Sequence, residues 1–231
     1  MADPRREQFQ PTETWYEDAD KYWKSVSSNM DGMLGGLEIV HGPDVHDSLE
    51  FMSKLRADPA LNFGSRYACD CGAGIGRVTK HFLLKEFDSV DLVEQNEDFL
   101  NEAQSSYLRN EKASGRVGTL FPVGLQKFTP ENGRYDVIWC QWVLSHLTDQ
   151  DLADFLKRCT QGLAPGGLIC VKENVASRGY VVDSEDSSVT RSVPVFEKVF
   201  EMAGVRIVRK QQQSGFPHEL FGVYMWALAP K

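Results

Sequence analysis

Cysteine is scarce in this sequence: five among 231 residues, at Cys69, Cys71, Cys140, Cys159 and Cys170. Their number is odd and none forms a Cys-x-x-Cys pair, which argues against a disulfide framework or a zinc site. Long apolar runs are missing too, and none approaches the roughly 18 residues that span a bilayer. The first eight residues are polar and lack the apolar core of a secretory signal. Basic residues are in deficit. A net charge of −8 and a pI near 5.2 disfavour a general phosphate-backbone binder, which needs a basic face. The expectation is a reduced protein of the cytoplasm, the nucleus or both, with no membrane, nucleic-acid or metal partner. Its acidity is compatible with a cationic one.

What is present is ordinary for one folded domain: 42% hydrophobic and 11% aromatic residues, in a length that suits a single core. Residues 1–13 show no periodicity and are expected to form a mobile tail. From Thr14 onward Trp15, Ala19, Tyr22, Trp23 and Val26 recur at helical spacing. This stripe either docks on the body of the protein or lines a pocket. Met30-Asp-Gly-Met-Leu-Gly-Gly36 reads as a tight loop and residues 47–55 as a second helix. Residues 14–56 are thus expected as a helical cap and 66–231 as the core of a single domain.

The core opens with Tyr67-Ala-Cys-Asp-Cys-Gly-Ala-Gly-Ile-Gly-Arg77, an apolar strand, a glycine turn and the start of a helix. Glycines allow positive φ and remove the Cβ atoms that keep a ligand from the backbone, while the new helix offers free N–H groups. Strand-like runs follow at 89–93, 116–123, 135–141, 168–172, 205–209 and 221–228. Helical patterns capped by Asn96, Thr148 and Ser192 alternate with them, and Pro165-Gly-Gly167 stops the second. Such alternation implies a mostly parallel sheet covered on both faces. The last two strands have no helix between them and should pair antiparallel.

Three observations narrow the ligand. The glycines are spaced Gly-x-Gly-x-Gly, and Arg77 stands where a dinucleotide fingerprint carries its third glycine. Glu94 ends the second strand about 20 residues after Gly72, suited to a ribose diol. An antiparallel pair closes the sheet. Alone, Glu94 is as readily a solvated strand end and Arg77 an exposed arginine. Together the features resemble the seven-stranded class I S-adenosylmethionine-dependent methyltransferases, an α/β Rossmann-like fold. That resemblance implies S-adenosylmethionine as cofactor and S-adenosylhomocysteine as product. It implies Gly72 and Gly74 against the ligand, Glu94 and Gln95 at the ribose, and Leu125 and Gln126 at the adenine. Gln141 should face the methionine half, and Arg77 should pair with its carboxylate.

A closer resemblance rests on Tyr22-Trp-Lys24, the Gly-Met-Leu-Gly-Gly36 segment, Asp136-Val-Ile-Trp-Cys-Gln-Trp142, His146-Leu-Thr-Asp149, Lys172-Glu-Asn174 and Asp186-Ser-Ser-Val-Thr-Arg191. This set is similar to the α-N-terminal protein methyltransferases, which modify proteins beginning Xaa-Pro-Lys or Xaa-Pro-Arg. The resemblance implies that Asp186 and His146 remove the amine proton and that Asn174 holds the first backbone carbonyl. Trp142 would accept the substrate proline and Trp23 face the cationic amine. Asp183 and Ser188 would hold the third residue, with Leu34 and Phe221 completing the peptide site. Expected substrates are protein N-termini, ribosomal and chromatin proteins among the candidates, and the enzyme is expected as a monomer. Repeated transfer would give mono-, di- or trimethyl amines, two at most on an N-terminal proline. Read without the resemblance, Asp186 is a loop cap, His146 a helix-flanking residue and 183–186 a solvated acidic loop. Two rivals stand beside this reading, a small-molecule or other protein methyltransferase on the same fold and a cofactor-binding regulatory subunit without catalysis.

Overall fold

A computed structural model describes residues 8–231 and the backbone of Arg5–Arg6. Ten strands form one sheet: β1 Arg5–Arg6, β2 Tyr67–Cys71, β3 Ser89–Val93, β4 Val117–Phe121, β5 Tyr135–Gln141, β6 Leu163–Ala176, β7 Tyr180–Asp183, β8 Ser188–Ser192, β9 Val205–Gln212 and β10 Gly222–Pro230. Seven of them make the expected core in the order β4-β3-β2-β5-β6-β10-β9. Strands β2 to β6 run parallel, and β10 lies antiparallel between β6 and β9.

The central strands are buried because helices cover both faces. Every residue of β5 is buried, as an inner parallel strand requires. Side chains alternate between the faces. Ile138 and Cys140 join Phe155, Leu156, Phe196, Phe200 and Trp226 on one, under the helices Asp149–Gly162 and Val193–Met202. Val137 and Trp139 join Phe51, Met52, Phe82 and Met225 on the other, under the helix His41–Arg56 and the helical segment 77–86. All five cysteines are free and buried.

Several elements depart from the sequence expectation. The acidic segment read as a loop is the tip of a hairpin, β7 against β8, and β8 adds parallel to the end of β6. Pro165 to Gly167 does not precede β6 but lies inside it. There the register to β5 jumps from Tyr135–Leu163 to Val137–Leu168. The helix expected at 47–55 starts earlier, at His41. Residues 30–33 of the expected loop form a short helix, capped by Asn29 through the Gly32 N–H at 2.8 Å. Asn96 and Thr148 cap as their positions suggest, but the Ser192 hydroxyl makes no cap bond. Of the tail expected over 1–13, residues 1–4 and 7 lie outside those described. Arg5–Arg6 pairs with Tyr180 and Val181, and Phe9 packs edge-on against Trp15 at 4.9 Å.

Candidate active site

A cleft opens at the carboxyl ends of β2, β3 and β5, where ligands of open α/β sheets bind. It encloses about 950 Å³ of non-atom space, mouth included, the size of a small-ligand site. Its floor is the glycine turn. Gly72 has φ +72°, and a Cβ there would lie 2.5 Å from the Val143 Cβ. The turn is stapled to β3: the Gly72 and Ala73 N–H groups donate to Val93 O at 2.8 and 3.1 Å. Beneath it Asp70 accepts from the Thr79 amide and hydroxyl at 3.1 and 2.7 Å, fixing the start of the following helix. Burial pushes the Asp70 carboxyl up to about 6 despite those donors.

Glu94 stands at the end of β3 with both oxygens aimed. One accepts from the Gly74 N–H at 3.0 Å and the other from the Asn96 N–H at 2.9 Å. Burial raises its pKa, and the surrounding backbone N–H groups oppose that rise. Gln95, Leu125 and Gln126 continue the same wall. At the opposite end Arg77 and Gln141 both reach the cleft and both bond to Asp44, at 2.7 Å each. Arg77 also lies over the Trp142 ring, 5.5 Å from its centroid. Trp142 is itself unusual, a non-glycine residue at φ +52°. Such left-handed backbone costs on the order of 1–3 kcal/mol and concentrates at functional sites.

The roof is the amphipathic helix Trp15–Ser25, fastened chiefly at residues 146–151 and also by Asn96 Nδ2, which donates to Trp23 O at 3.2 Å. The Trp15 indole N–H donates to His146 O at 2.7 Å, and the Trp23 indole N–H donates to His146 Nε2 at 3.0 Å. Tyr16 bonds to Asp151 and accepts from the Thr148 N–H at 3.2 Å. Burial pushes the Tyr16 phenol up to about 12. An indole only donates, so His146 Nε2 is an acceptor and its proton sits on Nδ1, which donates to Ser187 O at 3.1 Å. Burial lowers the His146 pKa, against the pull of Ser187 O and Asp186. The ring is a neutral latch between roof and hairpin.

The cleft therefore brings together Trp23, Gly72, Gly74, Arg77, Glu94, Gln95, Leu125, Gln126, Gln141, Trp142 and His146. Leu34, Asn174, Asp183, Asp186 and Ser188 are not on its wall. Leu34 is buried and follows Met33, which does line it. Asn174 is half-buried opposite Val223. Asp183 is exposed at the hairpin tip, bonded to the Glu185 N–H at 2.9 Å, and Ser188 faces it in register. Asp186 is half-buried, within electrostatic reach of His146 and Tyr22. Phe221 lies apart, in a shallower depression with Val175, Pro194 and Leu220.

Comparison with known proteins places this geometry. Residues 11–229 match the family model for AdoMet dependent proline di-methyltransferases. The chain is 47% identical to alpha N-terminal protein methyltransferase 1 of Drosophila melanogaster, over 95% of its own length and 78% of that protein. It is 45% identical to N-terminal Xaa-Pro-Lys N-methyltransferase 1 of Xenopus tropicalis, over 93% and 95%. A solved SAM-dependent methyltransferase of Leishmania major superposes with a TM-score of 0.84 at 38% identity, covering 93% of this chain and 82% of that one. The chain belongs to the AdoMet-dependent proline di-methyltransferase family.

It is an S-adenosylmethionine-dependent methyltransferase, and its cleft fits that cofactor. The glycine cradle leaves backbone bare where a Cβ would strike Val143 or Met33, and the Glu94 carboxylate lies on the cleft wall. Five buried side-chain polar atoms make no hydrogen bond among the described residues; two of them, Trp142 Nε1 and Asp186 Oδ1, belong to this region, and the others are on Arg209, Gln213 and Trp226. Unpaired buried groups are costly, so a native protein keeps them where something else completes them. Sequence reasoning missed Asp44, Tyr16 and Glu173. Glu173 accepts the Val143 and Leu144 N–H groups at 2.8 and 2.7 Å, and burial raises it to about 7. It thereby holds the backbone beside Trp142. A capping-type acid inside a strand pattern leaves no signal in sequence.

Gly72→Ala strains the backbone and drives a methyl into Val143, so calorimetry should find S-adenosylhomocysteine binding weakened at least tenfold. Unchanged affinity would mean that the turn is not the cradle. His146 titrates below its ordinary value of about 6.5. The unfolded chain therefore binds the extra proton first, and stability is lost as pH falls below about 6.5. Unfolding free energies measured from pH 8 to 5 should show that slope, with His146→Gln removing one proton's share of it.

Proposed function

We propose that this methyltransferase acts on the free α-amine of proteins beginning Xaa-Pro-Lys or Xaa-Pro-Arg, and adds up to two methyl groups to proline or three to other first residues. The names borne by the Drosophila and Xenopus relatives support the acceptor class. The observation that carries the reading is the buried, unpaired Asp186 oxygen within electrostatic reach of a neutral His146, whose ring is held by Trp23 of the roof helix. An α-amine has a pKa of about 7.7–8.0 and is mostly protonated near neutrality. Its lone pair must be freed before it can attack. S-adenosylmethionine supplies an electrophilic sulfonium methyl.

The residues then divide the work. Glu94 and Gln95 take the ribose, Leu125 and Gln126 flank the adenine, and Arg77 and Gln141 take the amino-acid end. Trp142 offers a flat apolar wall to a proline ring, and Trp23 a π face to the cationic amine. Asp186 accepts the ammonium proton, leaving a neutral amine whose lone pair forms the new N–C bond as the S–C bond breaks. His146 already has both ring nitrogens engaged, so it serves in this arrangement to hold Trp23 and the hairpin. It becomes a proton acceptor only when Trp23 moves off Nε2. Asn174, Asp183, Ser188, Leu34 and Phe221 are assigned to the peptide, with Asp183 opposite the third-residue cation. Holding the amine, methyl carbon and sulfur in line supplies much of the acceleration.

Incubation with S-adenosylmethionine and a Ser-Pro-Lys peptide should add about 14 Da per transfer, a methyl replacing a hydrogen, and fragmentation should place it on the first residue. An α-acetylated control peptide should gain none. Asp186→Asn should lower kcat by about 10²–10⁴-fold, the range of general-base catalysis, with S-adenosylhomocysteine affinity unchanged. Equal labelling of the acetylated peptide would contradict the assignment.

A further inference from the structure

Behind the amino-acid end of the cleft lies a buried ionic mount that the reaction as described does not use. Asp44 sits in the first turn of the helix His41–Arg56, almost fully buried, and its carboxylate gathers three side-chain donors. Its Oδ2 accepts from Arg77 Nη1 at 2.7 Å. Its Oδ1 accepts from Gln141 Nε2 at 2.7 Å and lies 2.6 Å from Lys172 Nζ. Lys172 directs its remaining donors to Asp44 O and Ser48 Oγ, at 2.9 Å each, and is wholly buried. Gln141 cannot turn its amide round, because its Oε1 accepts from the Trp139 indole at 3.0 Å. The next acids are engaged elsewhere, Asp47 with Ser214 and Asp70 with Thr79.

An isolated buried carboxylate would neutralise itself by taking up a proton. Burial alone would raise Asp44, but the Lys172 and Arg77 charges outweigh it and the carboxyl stays below the usual range. It is thus a fixed anion. The two cleft donors it holds come from different elements, Arg77 from the helical segment after the glycine turn and Gln141 from the end of β5. A one-ångström error in such groups costs heavily, and side chains this long need support to hold a direction. We propose that Asp44, kept charged by Lys172, is the positioning residue that aims Arg77 and Gln141 together at the amino-acid end of S-adenosylmethionine. That role rests on the cofactor site described above.

Two ligands separate orientation from mere stability. S-adenosylhomocysteine carries the amino-acid end, and 5′-methylthioadenosine lacks it. For Asp44→Asn, calorimetry should show the Kd for S-adenosylhomocysteine raised at least tenfold and that for 5′-methylthioadenosine changed less than twofold. The Asp44→Asn change takes the shared counter-charge from both Lys172 and Arg77, which destabilises the fold, so a second variant combines it with Lys172→Met and removes the wholly buried one of the two cations. Removing both charges of a buried pair is far less harmful than removing one. The double variant should regain thermal stability without regaining S-adenosylhomocysteine affinity. Equal loss of both ligands, no loss of either, or recovery of affinity in the double variant would each overturn the proposal. If the unaltered protein binds neither ligand, the cofactor reading itself falls and the role of Asp44 with it.

Discussion

The backbone passes hard against Val143 at Gly72 and against Leu108 at Gly76, with no room for a Cβ at either, and the cleft is built on that constraint. A Cβ on Gly72 or Gly76 would come within 2.5 Å of one neighbour or the other. The chain can turn there only in the left-handed conformations that glycine tolerates. Having turned, it presents amides rather than side chains. Those of Gly72 and Ala73 tie the turn to the end of β3, and that of Gly74 takes hold of Glu94. The same few residues thus shape the cleft floor and fix the Glu94 carboxylate on its wall.

Sheet floor and helical roof are different parts of the molecule, and residues 142–148 join them. The sheet supplies the floor: the glycine turn, Glu94, Gln141 and the Leu125–Gln126 wall. The roof helix Trp15–Ser25 closes the cleft from above, and the β7–β8 hairpin abuts it through His146 and Ser187. Residues 142–148 connect the two, held from below by Glu173 and from above by Trp15 and Trp23. Arg191 completes the junction from the hairpin side, donating to Leu144 O at 3.0 Å, to Leu147 O at 2.5 Å and to Asp149 at 2.8 Å. A guanidinium with several fixed acceptors is a rigid tie. Movement of the roof therefore has to be felt at His146, which both indoles grip.

What the sequence disclosed, and what it hid, follows from the range of each interaction. The core strands' places along the chain, the glycine turn and Glu94 are written in local periodicity and short spacings, and the structure has strands at each of those runs. The hairpin at 180–192 was hidden because its strands are short and half-polar, so they carry no period-2 signature. The early start of the helix at His41 was hidden by His-Gly-Pro, a poor helix opening on propensity alone. Asp44 could not be read at all. Its partners stand 33, 97 and 128 residues away, and nothing in its own neighbourhood marks it as an ion-pair hub. Asp186, Asn174 and Asp183 were reached only through likeness to a family. The fold brings Asp186 within electrostatic reach of His146 across 40 residues of chain, a separation that no local pattern bridges.

Floor, roof and hairpin act as one machine only if a protein N-terminus enters beneath Trp23 and brings its amine to Asp186. A crystal structure with S-adenosylhomocysteine and a Ser-Pro-Lys peptide bound would decide this. The α-nitrogen should lie between the sulfur and Asp186 Oδ1, with the proline ring on Trp142 and the lysine directed toward Asp183. A peptide bound with its lysine side chain in the cleft, or with its α-amine in solvent, would contradict it.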